Sequence, residues 1–366
     1  MKKRLGVLPM QVIQQMTGDG LIIGSNKDNI QIASLDLSVS EEIYRIEGIF
    51  QPRPGESIHE VLREISKSKH NICYPLEKGV MYIVKLKESL NLPDQVYGYC
   101  NPKSSTGRND VHVRVMADGV PRFDAATPAG FEGGLWLVVS PKSFPVRIVE
   151  GLPLSQIRFF NYDTRFDELE LQLKFEHDKL LWSSSRAYDY QDIKIKDSDG
   201  SIVLTINLEG DIVGWECIGP SRVFDMSKID YFNPEMFFRP LRAKNGTLLL
   251  KQNVFYILET RERLRVPPYL SSEMVPVDAR AGEFRVHYAG YIDPGWGWGD
   301  NGDGCGRRLT LEVRPFEDIL FRDRQPVAKV RFEFMAEIPE VNYDSSDKSS
   351  YIKEYDVPRL SKHFRQ

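Results

Sequence analysis

The chain has 366 residues, and its 48 lysines and arginines against 52 aspartates and glutamates give a formal net charge of −4. With 41% hydrophobic and 27% charged residues it has the composition of a folded globular protein. The charge argues against nucleic acid as a partner. The apolar runs are far shorter than the roughly 20 residues of a membrane span, and Pro9 and several glutamines interrupt the N-terminal one. We therefore expect a cytoplasmic protein with neither a secretory signal nor a membrane anchor.

Short β-rich segments, separated by glycine, proline, asparagine and aspartate, run through the whole chain. The pattern predicts strands over residues 32–39, 80–86, 135–139, 146–149, 156–160, 202–208, 254–258, 309–313 and 327–334. Helices are predicted over residues 10–16 and within 164–181, where Thr164 and Asp167 suggest an N-cap. The apolar stripe of the second helix would be formed by Phe166, Leu169, Leu173 and Leu180. Alternation in the same stretch leaves a strand as the alternative, and the spacing of the other segments is typical of β-barrels or sandwiches.

An internal repeat organises the sequence. Residues 80–93 match residues 254–267 without a gap, at an offset of 174, and residues 135–139 match 309–313 at the same offset. Residues 153–159 match 326–332 with one residue less. The chain is therefore predicted to contain one domain in two tandem copies, over residues 1–182 and 183–366.

Cysteine and histidine spacing argues against a zinc site. Cys73, Cys100, Cys217 and Cys305 lie far apart, and the six histidines show neither H-x-x-x-H nor H-x-E spacing. We expect free thiols and no metal held by local ligand pairs.

A polar turn follows the strand-rich region of the first copy. Lys103, Ser104, Ser105 and Arg108 can together supply ammonium, hydroxyl and guanidinium donors to one anion, which suits a phosphate chain. A solvated polar turn would have the same composition, so the residues alone leave both interpretations open.

A single carboxylate interrupts an apolar strand of the second copy. Glu312 faces away from Leu309 and Leu311, so it is either exposed to solvent or lines a partly closed pocket, where it could transfer protons. At the 174-residue offset its counterpart is Val138. The polar turn is lost in the other direction, because Ser104, Ser105 and Arg108 align with Asp278, Ala279 and Gly282. Each copy keeps what the other has lost, which predicts that the two sets form one site between the halves, within a chain or across a chain interface.

Two motifs resemble those of a known family. Residues 75–108, ending in Lys103-Ser104-Ser105-Thr106-Gly107-Arg108, resemble the region that leads into the R-S-S-x-x-R motif of dCTP deaminases in the trimeric dUTPase superfamily. Ile292-Asp293-Pro294-Gly295-Trp296 with Leu311-Glu312 resembles the I-D-P-G-W…L-E segment of the same family. The double length is similar to a bacterial branch of these enzymes. The resemblance implies a mainly β fold, with two tandem dUTPase-like β-barrels of the β-clip or jelly-roll type and a few short helices.

The resemblance also implies an activity, the hydrolytic deamination of dCTP to dUTP and ammonia in the biosynthesis of dUTP and dTTP. Glu312 would activate the water and return its proton to the leaving ammonia. Arg108 would help to place the water and the carboxylate, and Ser104 would act near the reacting centre. The implied substrate-binding residues are Lys103, Ser105, Ile292, Asp293, Trp296, Tyr343, Lys348 and Tyr351.

Two departures from the family pattern concern this site. Lys103 stands where the family usually has arginine, which keeps the charge but loses the two-pronged hydrogen bonding. A glycine-rich insertion over residues 297–306 lengthens the turn before Glu312.

The expected cofactor is Mg²⁺, carried by the triphosphate, and no zinc is expected because the H-x-E…P-C-x-x-C pattern of zinc deaminases is missing. The partner is dCTP, and the sequence leaves a monomer and a homo-oligomer open. A dUTPase, or a bifunctional deaminase and diphosphatase, is the first alternative. A non-catalytic nucleotide-binding protein is the second, since a fold alone does not decide function.

Overall fold

The computed structural model describes residues 5–65, 68–275, 290–347, 351 and 357–365, and the backbone of residues 284–287. The chain divides into two compact units. The N-terminal unit comprises Leu8–Tyr162, Gly219–Met236 and Ser361–Gln366. The C-terminal unit comprises Met1–Val7, Asp163–Ile218 and Phe237–Leu360.

One large antiparallel sheet forms the N-terminal unit. Its strands are β1 (Ile22–Ile23), β2 (Leu35–Ile46), β3 (Ser68–His70), β4 (Met81–Asn91), β5 (Tyr97–Pro102), β6 (Val111–Ala117), β7 (Glu132–Pro141) and β9 (Pro153–Phe160). The order is β5-β9-β2-β4-β7-β6, with β1 added to β4 and β3 to β2. The short strands β8 (Val146–Arg147) and β13 (Phe224–Asp225) pair in parallel beside it.

Two sheets and a ribbon form the described part of the C-terminal unit. The strands are β10 (Leu181–Trp182), β11 (Ser201–Thr205), β12 (Gly214–Cys217), β14 (Phe238–Leu241), β15 (Thr247–Leu250), β16 (Tyr256–Leu264), β17 (Leu270–Val275), β18 (Phe284–His287), β19 (Tyr291–Ile292), β20 (Arg307–Pro315), β21 (Ile319–Arg322) and β22 (Pro326–Phe334). One sheet has the order β14-β12-β16-β20-β18 with β10 on β16, the other has β11-β22-β17-β19, and β15 pairs with β21. The predicted mainly β, two-domain, barrel-like fold is confirmed.

The helices of the described residues are α1 (Met10–Gly18), α2 (Ile58–Ile65), α3 (Ser104–Gly107) and α4 (Glu168–Asp178). Both predicted helices, α1 and α4, form, and Asp167 caps α4 through a capping box with Glu170. Half of the predicted apolar stripe is wrong: Leu169 and Leu173 are 64% and 63% exposed, whereas Phe166 and Leu180 are buried but flank the helix. The helix begins only after Asp167, and the apolar residues that it buries are Leu171 and Phe175. None of the described helices has the length and apolar character that crossing a membrane requires.

The central strand pairing of each unit recurs at the 174-residue offset found in the sequence. Ile83 of β4 lies opposite Val138 of β7, and Ile257 of β16 lies opposite Glu312 of β20. The adjacent pairs also recur at this offset. The pair Tyr82–Val139 corresponds to Tyr256–Val313, and the pair Val84–Leu137 corresponds to Leu258–Leu311. A slip of one residue would turn every side chain to the opposite face. Val138 and Glu312 therefore occupy equivalent positions.

The compact units differ from the predicted halves, 1–182 and 183–366. Helix α1 leads into β1, which pairs with the end of β4 through Ile22 and Leu90. Helix α4 leads into β10, which pairs with the end of β16 through Leu181 and Leu264 in the equivalent register. Helix α4 and strand β10 thus open the C-terminal unit, whereas the predicted boundary assigned them to the first half.

A glutamate that accepts from the backbone of another strand is present at the same place in both units, buried in the case of Glu88 and half-buried in the case of Glu262. The backbone N–H of Ser38 donates to Glu88 Oε2 at 2.9 Å, and the backbone N–H of Thr205 donates to Glu262 Oε2 at 2.8 Å. Burial raises the pKa of Glu88 to about 7, and the nearby charge of Asp36 acts in the same direction. Burial also raises the pKa of Glu262. Glu88 joins β2 to β4 within one sheet, and Glu262 joins β11 to β16, which belong to two different sheets.

The raised pKa of Glu88 predicts a pH dependence of stability. A carboxyl with a folded-state pKa of about 7 and an ordinary value of 4.5 holds its proton more tightly in the folded protein. Its contribution to the free energy of unfolding is therefore complete below about pH 4.5 and is lost as the pH rises through 7. Between these pH values the free energy of unfolding, measured in urea, is expected to fall by about 3 kcal/mol less in Glu88→Gln than in the wild type. Exposed Glu77→Gln serves as the control, and equal pH profiles for Glu88→Gln and the wild type would contradict the assignment.

Candidate active site

The predicted Ser-Ser-x-x-Arg residues lie on a single helical turn of the N-terminal unit. Strand β5 ends at Pro102, and α3 begins directly after Lys103, whose backbone carbonyl accepts from Thr106 N–H at 2.8 Å and Gly107 N–H at 3.0 Å. Ser105 and Arg108 are buried, and Ser104 is half-buried. We refer to residues 103–108 as the motif turn. The turn brings together all four residues that the sequence predicted there.

Lys103 is held by a buried carboxylate. Its ammonium contacts Asp36 Oδ2 on β2, and Gln31 Nε2 donates to the same oxygen at 3.1 Å. Asp36 is 3% exposed, so this ion pair is largely shielded from water. The pair fixes the position of Lys103, which partly offsets the geometric freedom of a lysine where the family has arginine.

Polar residues next to the motif turn escaped the sequence analysis. Asn109 Nδ2 donates to the backbone carbonyl of Ser105 at 2.7 Å, and Ser361 Oγ donates to Asn109 Oδ1 at 2.9 Å. Asp110 accepts from Ser143 Oγ at 2.6 Å. The only sequence signal for Asn109 and Asp110 was their position after the motif, and nothing in the sequence indicates Ser361, which lies 252 residues further along.

The predicted Ile-Asp-Pro-Gly-Trp segment forms a tight turn in the C-terminal unit. Ile292 pairs with Ser272 of β17, and Trp296 N–H donates to Asp293 O at 3.2 Å. Gly295 has a φ of +88°, and a Cβ there would lie 2.5 Å from a side-chain atom of Asn342, so both backbone conformation and space require glycine. Asp293 and Trp296 are half-buried.

The same turn exists in the N-terminal unit without the aspartate. Thr127 pairs with Gly98 of β5 there, as Ile292 pairs with Ser272 of β17 in the C-terminal unit. Leu92 N–H donates to Phe131 O at 2.8 Å, and in the C-terminal unit Val266 N–H donates to Trp296 O at 2.9 Å. Counted back from Phe131, Pro128 is the counterpart of Asp293. The N-terminal unit therefore lacks this carboxylate as well.

The glycine-rich insertion over residues 297–306 is a folded loop. The carboxylate of Asp344 accepts from Gly297 N–H at 3.3 Å and Gly299 N–H at 2.8 Å, and pairs with Arg307 at 3.1 Å. The guanidinium carbon of Arg265 lies 4.0 Å from the ring centre of Trp298. The insertion is complete before β20 begins, so it leaves the register of Glu312 unchanged.

Glu312 is buried in the middle of β20. It is 6% exposed, which makes the alternative of a solvent-exposed strand residue wrong. Its strand neighbours are Ile257 on β16 and His287 on β18, and the adjacent Leu311 and Val313 are fully buried. The side chain of His287 lies outside the described residues.

The equivalent position of the N-terminal unit is filled by apolar side chains. Val138 belongs to a buried cluster with Trp136 and Ile83 of the sheet and with Ile58 and Leu62 of α2. We call the α2 residues Ile58 and Leu62 the apolar plug. The plug occupies the sheet face on which the other unit carries its buried carboxylate.

The remaining predicted binding residues belong to the C-terminal unit. Tyr343 is buried, and its ring lies 4.9 Å from that of Trp296 at an angle of 50°. The ring centre of Tyr351 lies 5.0 Å from the guanidinium carbon of Arg359. Lys348 lies outside the described residues.

No group of three or more histidine, cysteine, aspartate or glutamate side chains within the described residues is arranged to hold a metal ion. The four cysteines are free, as predicted.

Comparison with known proteins decides the family. The model of the N-terminal domain of 2′-deoxycytidine 5′-triphosphate deaminase matches residues 4–163, and the model of the C-terminal domain matches residues 175–364. The chain belongs to the dCTP deaminase family. The crystal structure of 2′-deoxycytidine 5′-triphosphate deaminase from Agrobacterium tumefaciens is similar, with 35% identity, a TM-score of 0.82, and coverage of 91% of this chain and 99% of the other. The search of curated proteins gave no match. The family predicted from the two motifs is confirmed.

Proposed function

We propose that this dCTP deaminase family member hydrolyses the C4 amine of dCTP and releases dUTP and ammonia. Its family membership supports dCTP as the substrate. Replacing an amine on the ring by oxygen requires a water made nucleophilic and a proton for the leaving ammonia. One carboxylate can move both protons of the attacking water, because one is taken up by the leaving ammonia and the other by ring nitrogen N3, which carries a proton in the product.

The division of the motifs between the two units carries this proposal. Ser104, Ser105 and Arg108 lie on the motif turn of one unit, and Glu312 and Asp293 belong to the other. At the counterparts of Glu312 and Asp293 the N-terminal unit has Val138 and Pro128. We infer that the chain arose by duplication and that the two sets act on the same substrate molecule, so that each chain has one working carboxylate.

The proposed roles follow from the chemistry of the residues. Glu312 activates the water, and Arg108 and Ser104 position it and stabilise charge as it attacks. Lys103 and Ser105 bind phosphate oxygens, while Ile292, Asp293 and Trp296 contact the sugar and base. Tyr343, Lys348 and Tyr351 complete the substrate-binding set. The buried state of Glu312 and Arg108 supports this assignment, because charge interactions are stronger where water is excluded.

Mg²⁺ fits this proposal as part of the substrate. The polar groups of the motif turn are an ammonium, two hydroxyls and a guanidinium, a set that suits phosphate oxygens and includes no carboxylate to hold a metal ion. Asp36, the carboxylate beside them, already pairs with Lys103. Mg²⁺ would therefore be held by the triphosphate and water, with few protein ligands.

Metal removal tests this assignment. Deamination is expected to survive prolonged treatment with a zinc-selective chelator, and to respond to Mg²⁺ removal through a higher KM for dCTP. The measurement is the initial rate of ammonia release before and after treatment, with added Zn²⁺ and added Mg²⁺ as matched controls. A loss of activity that only Zn²⁺ restores would contradict the proposal.

Product analysis distinguishes the competing functions. Purified protein is incubated with dCTP and Mg²⁺, and the products are separated by chromatography. We expect dUTP. A bifunctional deaminase and diphosphatase would give dUMP, a dUTPase would act on added dUTP and leave dCTP intact, and a non-catalytic nucleotide-binding protein would give no product. The complementary loss of motifs argues against the last, because a decayed binding protein would not keep one copy of each set.

A further inference from the structure

The motif turn is so short that its backbone carbonyls depend on hydrogen-bond donors beyond the helix. Helix α3 is a single turn, so its last carbonyls have no following helical N–H groups to accept from. The N–H of Asn109 donates to Thr106 O at 3.2 Å and that of Asp110 to Gly107 O at 2.8 Å. The carbonyl of Ser105 instead accepts from the side chain of Asn109. This side-chain bond replaces the helical one at the centre of the motif.

The orientation of Asn109 depends on the end of the chain. A side-chain amide has a donor and an acceptor that exchange places when the group turns over. The hydroxyl of Ser361 donates to Asn109 Oδ1, which directs Nδ2 towards Ser105. Asn109 is 1% exposed and Ser361 is fully buried, so water does not substitute for either bond.

Ser361 is itself fixed by the segment around it. The N–H of Asp230 donates to Lys362 O at 3.0 Å, and the N–H of Phe232 donates to His363 O at 3.0 Å. The ring of Phe364 is buried and lies 5.3 Å from that of Phe224. Residues 361–365 are thus held by residues 224–232 within the N-terminal unit.

The same segment brings a second lysine near Lys103. Burial lowers the pKa of Lys362, the positive charge of Lys103 lowers it further, and Asp36 opposes both. The segment therefore lies close to the charged side of the motif turn as well as to its backbone.

We propose that Asn109 and Ser361 are positioning residues for the reaction, and that the C-terminal segment holds the motif turn in the shape that binds the substrate phosphates. This inference rests on the proposed function of the motif turn. Ser361 acts through Asn109 on the backbone of Ser105, which carries Ser104, Ser105 and Arg108 with it.

The test compares two serines that make the same kind of bond. Ser34 is buried in the same unit and donates its hydroxyl to the side-chain oxygen of Gln156 at 3.1 Å, a bond that includes neither Asn109 nor any residue of the motif turn. Ser361→Ala is expected to lower kcat/KM for dCTP about tenfold, mainly through KM, and Ser34→Ala to leave it within about twofold. In the Asn109→Ala background, Ser361→Ala should have no further effect, because both changes break one chain of bonds.

Hydrogen exchange provides a measurement that does not depend on activity. Amides of residues 104–110 are expected to exchange faster in Ser361→Ala than in the wild type or Ser34→Ala. Unchanged exchange there, equal kinetic effects of the two serine variants, or additive effects of Asn109→Ala and Ser361→Ala would overturn the inference. If Ser361→Ala speeds exchange of these amides but the wild type does not deaminate dCTP, the proposed function fails while the coupling of Ser361 to the motif turn stands.

Discussion

Replacing Glu312 by glutamine is expected to lower kcat for dCTP deamination by about 10²–10⁴-fold, the range that general acid–base groups contribute. Glutamine keeps the size of the side chain, but it can neither take a proton from water nor return one to ammonia. Because Glu312 is proposed to act on the water rather than on the phosphates, the dissociation constant for dCTP should change little. Stopped-flow ammonia release and equilibrium dCTP binding measure the two effects separately.

Glu259 provides the matched control for this variant. It lies on β16 in the same sheet, is 8% exposed against 6% for Glu312, and accepts from Asn207 Nδ2 at 2.9 Å. Glu259→Gln should lower stability without a comparable loss of kcat. Near wild-type turnover in Glu312→Gln, or an equal loss in both variants, would reject Glu312 as the working carboxylate.

The second large effect is expected from breaking one motif set at a time. Arg108→Ala and Glu312→Ala should each lose at least about 10²-fold in kcat/KM, since each removes a charge from the proposed reaction centre. If the two sets combine across chains, an equimolar, freely exchanging mixture of the variants should regain about a quarter of the wild-type sites. If they combine within a chain, mixing should restore nothing.

A dilution experiment with the double variant distinguishes the same cases independently. When Arg108→Ala/Glu312→Ala chains are mixed equally with wild type, about half of the sites remain intact if each site belongs to one chain, and about a quarter if it draws on two. Full activity of Arg108→Ala alone would contradict the role of the motif turn, whatever the mixtures give.

Much of the fold could be predicted because its signals are local or repeated. The β-rich segments are separated by turn residues, and the 174-residue offset returned unchanged in the pairings of Ile83 with Val138 and Ile257 with Glu312. The exposure of Leu169 and Leu173 of α4 could not be predicted, because apolar residues lie on both faces of that helix and the packing of the folded core decides which face is buried.

The site residues divide in the same way. The motif turn was visible in the sequence as a run of polar residues, and Glu312 as a single carboxylate in an apolar strand. Asp36, which fixes Lys103, and Ser361, which orients Asn109, were not, because their partners are 67 and 252 residues away and each is an ordinary residue in its own segment. Only the folded chain shows such long-range polar contacts.

The apolar plug makes the loss of the first carboxylate hard to reverse. Once Ile58 and Leu62 cover Val138, a glutamate at that position would have to be buried among aliphatic and aromatic side chains, with a large cost in desolvation. A single reverting substitution would therefore weaken the protein without restoring a reaction centre. On the proposal that the two units arose by duplication, the packing around Val138 would keep the N-terminal unit dependent on the carboxylate of the C-terminal unit.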